Sequence, residues 1–180
     1  MTSLELSNLL DNHVKNNWER LVITDETISD FDFSGYDLGG SFFLGFEFRS
    51  CIFNSTNLAD TNFGGSTFGD CKINAIRLIK SDWNDVKFVN TVFQNTEALK
   101  CDFHSVVFEF CSVENTTFIR CSFSNIRDGV LSGTTFRNCT FDGCYFRKCI
   151  FRSVKFVECV FIDTEIETEG NEVSFINCIR

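Results

Sequence analysis

Phenylalanine recurs at every fifth position through one long stretch of the chain. A small residue, often cysteine, stands two places before most of these phenylalanines. A period of five matches neither the 3.6-residue repeat of a helix nor the two-residue repeat of a strand. We therefore predict strands of about three residues separated by corners, with the phenylalanine (position i) and residue i−2 pointing inward, and with successive coils stacked. The positions are Phe136, Phe141, Phe146, Phe151, Phe156 and Phe161.

The repeat extends over almost the whole sequence. Counting by five from Ile23 to Phe123 gives 21 positions, and every one of them is apolar. The frame slips near residues 124–126 and again near residues 167–173. Nineteen of the 23 phenylalanines occupy the central position i, so we interpret them as one continuous core. The pattern predicts a single repeat domain over residues 23–180.

These features resemble the pentapeptide-repeat family, in a variant centred on phenylalanine and rich in cysteine and threonine. The commoner motif of that family, Ala-Asp/Asn-Leu-x-x, occurs once in blurred form at residues 56–60, which read TNLAD. The resemblance implies an all-β solenoid, a right-handed, four-sided (quadrilateral) parallel β-helix of about seven coils with four pentapeptides in each. Cys51, Cys71 and Cys111 differ by multiples of twenty, which agrees with stacking on one side.

Residues 1–22 are predicted to form a short N-terminal helical cap. Thr2 followed by Glu5 fits a capping box, and four residues spaced four apart give an apolar helical stripe. We favour a helix that covers the open end of the first coil, with a partner-binding helix as the alternative. The segment lacks the features of a signal peptide, and we predict a cytoplasmic protein with no membrane association. The stripe consists of Leu6, Leu10, Val14 and Trp18.

All ten cysteines fall at position i−2, where serine, threonine and valine otherwise stand. We interpret them as small buried residues with reduced thiols, because in-register side chains on stacked coils keep their Cβ atoms farther apart than a disulfide requires. Their C-x4-C spacing does not suit zinc, and we expect no metal or cofactor. His13 on the helix and His104 at an outward position are interpreted as solvated surface groups.

No nucleophile elbow, phosphate-binding loop or Ser/His/Asp pattern is visible in the sequence. Outward carboxylates such as Asp82 and Asp85 would lie on a convex surface, without a pocket that could raise the pKa of either one. An interior filled with phenylalanine leaves no obvious space for a small-molecule substrate. We predict that the protein is not an enzyme.

The outward charges are unevenly distributed along the chain. Residues 1–70 carry a net charge of −8, residues 71–157 carry +4 and residues 158–180 carry −5, which gives −9 overall. The two interpretations are a solvated exterior that keeps the rod soluble and a bipolar surface that binds a macromolecule. The candidate binding residues are Arg137, Arg147, Lys148, Arg152 and Lys155, together with Asp128 near the first slip and Glu165 and Glu167 in the acidic tail.

The family resemblance implies several kinds of partner. One is a cognate bacterial toxin, bound and neutralised by an immunity-type protein, and this is the function we favour. The first alternative is a DNA mimic that protects DNA gyrase or topoisomerase from quinolones or gyrase toxins, although the basic centre of this chain departs from that pattern. The second alternative is a general protein-interaction scaffold. The net charge disfavours direct binding of nucleic acid, and both a monomer and an end-to-end homodimer remain open.

Overall fold

The chain folds as a parallel β-solenoid of about seven coils, preceded by one helix. The computed structural model describes residues 3–15, 21–24, 26–124, 130–169 and 172–180. Its elements are α1, Ser3–Lys15, and 24 short strands, β1 to β24, in chain order. All strand pairs are parallel, and each strand pairs with strands one coil before and after it. This architecture confirms the predicted fold.

The strands lie on four sides, here called faces 1 to 4 in the order in which the chain passes through them. Face 1 contains β2 (Thr27–Ser29), β4 (Glu47–Arg49), β6 (Thr67–Gly69), β9 (Lys87–Val89), β13 (Val107–Glu109), β17 (Val130–Ser132) and the second half of β20 (Tyr145–Arg152). Face 2 contains β5 (Ile52–Asn54), β7 (Lys72–Asn74), β10 (Val92–Gln94), β14 (Ser112–Glu114), β18 (Thr135–Arg137), β21 (Val154–Val157) and β24 (Val173–Ile176).

The remaining strands complete the rod. Face 3 contains β8 (Arg77–Ile79), β11 (Glu97–Leu99), β15 (Thr117–Ile119), β19 (Thr140–Asp142) and β22 (Val160–Ile162). Face 4 contains β1 (Val22–Thr24), β3 (Phe42–Leu44), β12 (Asp102–His104), β16 (Ser122–Ser124), the first half of β20 and β23 (Glu165–Glu169). Strand β20 turns the corner from face 4 to face 1 without a break, so it joins the two faces into one sheet.

The pairing register gives the length of each coil. Phe93 pairs with Val113, twenty residues away, as four pentapeptides per coil require. Val113 pairs with Phe136, which is 23 residues away, so the first slip adds three residues to one coil. Phe156 pairs with Phe175, so the second slip removes one. Parts of both slips, residues 125–129 and 170–171, lie outside the described residues, and the predicted domain boundary at residue 22 stays a prediction.

Asparagine and aspartate just before the central residue replace strands by turns in the first coils. The Asp37 Oδ1 atom accepts a hydrogen bond from the Gly39 amide at 3.0 Å, and the Asn62 Oδ1 atom accepts one from the Gly64 amide at 2.7 Å. Such local bonds favour a turn over an extended ladder. These positions therefore make isolated bridges, as between Asn62 and Asp82, instead of strands.

The core consists of aromatic columns that run along the axis of the rod. Phe141, which is 0% exposed, lies between Phe118 and Phe161, with ring centroids 5.0 and 5.1 Å away and nearly parallel planes. Rings on neighbouring faces of a coil meet edge to face, which is a favoured aromatic geometry. The phenylalanines named from the sequence, Phe136, Phe141, Phe146, Phe151, Phe156 and Phe161, are all buried.

The inward side chains at i−2 bond to the backbone of the preceding coil. In one column, the Thr91 hydroxyl donates to the Phe68 carbonyl at 2.9 Å, and the Cys111 thiol donates to the Phe88 carbonyl at 3.5 Å. A small side chain fits the limited space at this inward position, and its one hydrogen-bond donor satisfies a lone pair of the carbonyl oxygen in the preceding coil. The alternation of Cys, Thr and Ser at i−2 follows from this double requirement.

All ten cysteines are free, and nine of them are buried. Cys178, in the last coil, is half-buried and donates to the Phe156 carbonyl at 3.3 Å. Because a thiol reacts only when it is accessible and ionised, we expect Ellman's reagent to modify one thiol per native chain and all ten after denaturation. Replacing Cys178→Ser should abolish the native-state reaction; several fast thiols in that variant would contradict the buried columns.

Helix α1 packs onto the first coils through its apolar stripe. Leu6 is 0% exposed and Leu10 is 1% exposed, and both belong to the same core cluster as Leu21. Thr2 and residues 16–20, which include Trp18, lie outside the described residues. None of the helical segments that the structure describes is long and apolar enough to span a membrane.

Candidate interaction surfaces

The basic residues named from the sequence lie close along the axis but on three different sides. Arg147 is on face 4, Lys148 is at the corner that follows, and Arg152 is on face 1. Arg137 and Lys155 are on face 2, in neighbouring coils. All five side chains are exposed. They therefore form a belt around the rod, and no single flat partner can contact all of them.

The acidic residues named from the sequence adjoin one part of this belt. Glu165 and Glu167 lie one coil beyond Tyr145 and Arg147 on face 4. The Arg147 guanidinium lies over the Tyr145 ring, 5.9 Å from its centroid. Asp128 lies outside the described residues. Face 4 near the C-terminal end thus combines both signs of charge with an aromatic side chain.

Face 3 carries an aliphatic column beside a basic one, and neither was predicted from the sequence. Ile79, Leu99 and Ile119 stack in register on its outer surface as a half-buried column, here called the aliphatic stripe. The residue after each one forms a second column at the adjoining corner, here called the basic row, and its members are all exposed. The basic row consists of Lys80, Lys100 and Arg120.

The basic row has no ion-pair partner among the described residues. Two acids stand at the ends of this arrangement: Asp60 is one coil before Lys80 in the same corner column, and Asp142 follows Ile119 in the column of the stripe. On face 4, Asp82 and Asp102 direct their carboxylates elsewhere, since Asp82 accepts from Asn62 at 3.0 Å and Asp102 accepts from Ser122 at 2.6 Å. On the other side of the stripe, Glu97 is paired with Arg77 at 3.1 Å. The row therefore presents three positive charges without an ion pair beside an apolar surface, with one acid at each end.

A Ser–His–Asp cluster also forms on face 4. The Asp102 carboxylate lies 3.1 Å from His104 Nε2, and the Ser124 hydroxyl contacts His104 Nδ1. From its outward position in the repeat, His104 was expected to be a solvated surface group, and these two contacts were not predicted. The nearby backbone amide of Ser105 is already used, since it donates to the Ser124 carbonyl at 2.7 Å. This amide is therefore not free to stabilise an oxyanion in acyl transfer.

Two of the hollows lined by described residues are open to the solvent. One, of about 320 Å³, lies on face 2 and is lined by Ile52, Asn54, Lys72 and neighbouring strand residues. The other, of about 380 Å³, lies at the C-terminal end beside Phe161 and Arg180. Among the described residues, no group of three or more His, Cys, Asp or Glu side chains is placed to hold a metal ion.

Acidic side chains do not form a long column on any described part of the rod. The deepest stack of acids is two residues, Asp82 and Asp102, which are neighbours on adjacent coils. Elsewhere an acid is followed one coil later by a neutral or basic residue, as Glu114 is by Arg137. The negative net charge is therefore dispersed over many separate columns.

No curated protein matches the chain. Several solved structures have a similar fold. QnrB1, a plasmid-mediated fluoroquinolone resistance protein, is 17% identical in a trypsin-treated form, with a TM-score of 0.42 over 88% of this chain and 90% of that one. HetL, from the cyanobacterium Nostoc sp. strain PCC 7120 and involved in heterocyst differentiation regulation, is 9% identical, with a TM-score of 0.30 over 96% of this chain and 91% of that one. TM-scores this low support no functional conclusion.

Family models match most of the solenoid directly. A pentapeptide repeat region matches residues 41–118, and a model of eight pentapeptide repeats matches residues 130–164. Together the two matches cover more than half of the chain. The gap between them contains the three-residue insertion. The chain belongs to the pentapeptide-repeat family.

Proposed function

We propose that this chain is a non-catalytic binding protein whose outer faces hold a protein partner, and that the partner is a bacterial toxin neutralised in the manner of an immunity protein. The observation that carries the proposal is the filled interior. Stacked aromatic rings and buried thiols occupy the axis of the rod, so groups that can meet a ligand lie on its outside. A rigid scaffold with irregular charge on several faces suits one specific protein surface.

The dispersed negative charge favours this function over mimicry of DNA. A DNA mimic needs a long, continuous line of negative potential, whereas acidic columns on the described faces are at most two residues deep. The basic row on face 3 and the belt around the C-terminal coils interrupt the acidic surface further. Gyrase or topoisomerase protection is therefore the competing outcome that the experiment must separate.

Affinity purification from the source cells, with the folded full-length protein as bait, provides the test. We expect near-stoichiometric recovery of one protein that arrests growth when expressed alone and that is neutralised by co-expression of this chain. Recovery of gyrase or topoisomerase subunits, with protection of supercoiling activity against a quinolone, would overturn the toxin proposal in favour of the alternative.

The belt supplies a matched variant for the same experiment. Arg147→Glu with Arg152→Glu reverses two exposed charges on faces 4 and 1. If the partner binds the C-terminal coils, this double variant should lose it, because reversing rim charges disfavours the encounter with a complementary surface. Undiminished recovery with the double variant would place the interface elsewhere on the rod.

A further inference from the structure

We propose that face 3 is the partner-binding surface and that it holds an acidic amphipathic α-helix lying along the axis of the rod. This inference rests on the proposed binding function and adds the site and the chemistry of the partner. It is carried by the aliphatic stripe, the basic row and their spacing. A helix of this kind would place its apolar residues on the stripe and its carboxylates on the row.

The stripe and the row form one composite surface. Ile79, Leu99 and Ile119 share a column, and the basic residue that follows each one stands at the adjoining corner. Apolar anchors beside like charges are a usual way to recognise an amphipathic helix of opposite charge. The Arg77–Glu97 pair on the far side of the stripe has no net charge. With Asp60 and Asp142 at the two ends, the surface still carries a net positive charge, and that charge is concentrated in the three coils of the row.

The corner backbone gives a second, independent indication. In the part of the chain that the structure describes, twenty-one non-glycine residues have positive φ, and fourteen of them are Asn, Asp or Ser, the kinds of residue that suit tight turns. Lys80, Lys100 and Arg120 have φ of 54°, 54° and 51° and occupy three successive corners of one column. Long basic side chains gain nothing locally at such positions. Their occurrence at three successive corners of one column fits a role in binding.

The spacing of the coils selects the conformation of the partner. Stacked strands are about 4.8 Å apart, so the first and third members of the row are separated by about 9.6 Å along the axis. Helix residues i and i+7 are about 10.5 Å apart, so one carboxylate per turn can follow one cation per coil. Same-side residues of an extended strand are about 6.6 Å apart, and the mismatch over two steps is about 4 Å.

Face 1 carries another aliphatic column, but the residues at the adjoining corner do not share one sign of charge. Val107, Val130 and Ile150 stack there, and Phe110 at the next corner is 67% exposed. The corner beside this column carries Asp85, Ser105 and Lys148, which do not form a row of one sign. That column also adjoins residues 125–129, outside the described part of the chain. Of these two aliphatic columns, the one on face 3 has a row of like charges beside it and therefore specifies the charge of its partner.

A designed helical peptide tests the proposal with the full-length protein. The peptide has leucines at positions i, i+4, i+7 and i+11 and a glutamate after each, and its control has glutamine in place of every glutamate. We expect fluorescence anisotropy at near-physiological salt to show tighter binding of the glutamate peptide. The row variant, Lys80→Glu with Lys100→Glu and Arg120→Glu, should weaken that binding at least about tenfold.

A second triple variant makes the same change in net charge at positions outside both the row and the belt. Arg49→Glu with Lys72→Glu and Lys87→Glu changes faces 1 and 2 and should leave peptide binding within about twofold of the wild type. The emission of buried Trp83 reports whether both variants are folded. Glutamate is compatible with the positive φ of the row's corners, because Glu158 has a φ of 56° at another corner.

Three outcomes would overturn the inference. The first is equal binding of the glutamate and glutamine peptides. The second is an equal loss of binding in both triple variants, which would show a general charge effect. The third is complete competition by a DNA duplex that itself binds through the row, which would identify a phosphate backbone as the occupant. If the row variant still recovers the cellular partner, the binding function stands and only this surface is wrong.

Discussion

Replacing Phe141→Ala is expected to lower the free energy of unfolding by about 3–5 kcal/mol, the range found for large-to-small substitutions of buried aromatic residues. The ring is fully buried between Phe118 and Phe161 and also meets Phe136 and Phe146 edge to face. The stacked coils above and below cannot close the gap, because the backbone ladder fixes their separation. The cavity should therefore persist instead of collapsing.

Urea unfolding followed by tryptophan emission measures this effect. Trp83 is fully buried near the middle of the rod, and a Trp18→Phe background leaves it as the only tryptophan in the chain. Phe110→Ala is the control, since that ring is 67% exposed at a corner. We expect the control to change stability by less than about 1 kcal/mol. Equal losses for the two variants would contradict the assignment of Phe141 to the core.

The sequence predicts the architecture well because one local rule repeats at every corner. The five-residue period specifies which side chains point inward, and burial of Phe33 or Phe156 follows without knowledge of any distant contact. The two slips break the rule only locally, since pairing resumes at Leu131 and Phe175. What the period leaves open is whether the first slip adds or removes residues, and the register shows that it adds three.

The outward surface could be predicted only in part, because neighbours across the surface are distant in sequence. Arg147 and Arg152 are five residues apart and lie on different faces, whereas Lys80 and Lys100 are twenty apart and are adjacent. Reading the outward positions at intervals of twenty would have revealed the basic row. The contact of His104 with Ser124, twenty residues away, is of the same kind, whereas Asp102 lies two residues away on the same strand.

Raising the pH from 9 to about 11 is expected to lower the free energy of unfolding by on the order of 4 kcal/mol. Burial raises the pKa of Cys111 from 9.0 to about 12, and it raises the pKa of Cys149 to about 12 as well. In the unfolded chain these thiols ionise near their ordinary pKa of 9.0, whereas in the folded chain they stay protonated. The unfolded state is therefore favoured progressively as the pH rises toward 12, and the full contribution of these thiols is present below pH 9.

A threonine at position 111 isolates the contribution of one thiol. Thr91 and Thr134 flank Cys111 in the same column and bond to backbone carbonyls in the same way, so Cys111→Thr should fit the site and keep its hydrogen bond. Urea unfolding at pH 7 and at alkaline pH, with a reductant present, should give similar stability at pH 7 and a shallower alkaline loss in the variant, by about 2 kcal/mol. All other ionisable groups are the same in both proteins, so their contribution cancels in the difference. If the two proteins lose stability in parallel as the pH rises, ionisation of the buried thiols does not cause the alkaline loss. The thiols would then stabilise the fold only through their packing and their hydrogen bonds to backbone carbonyls.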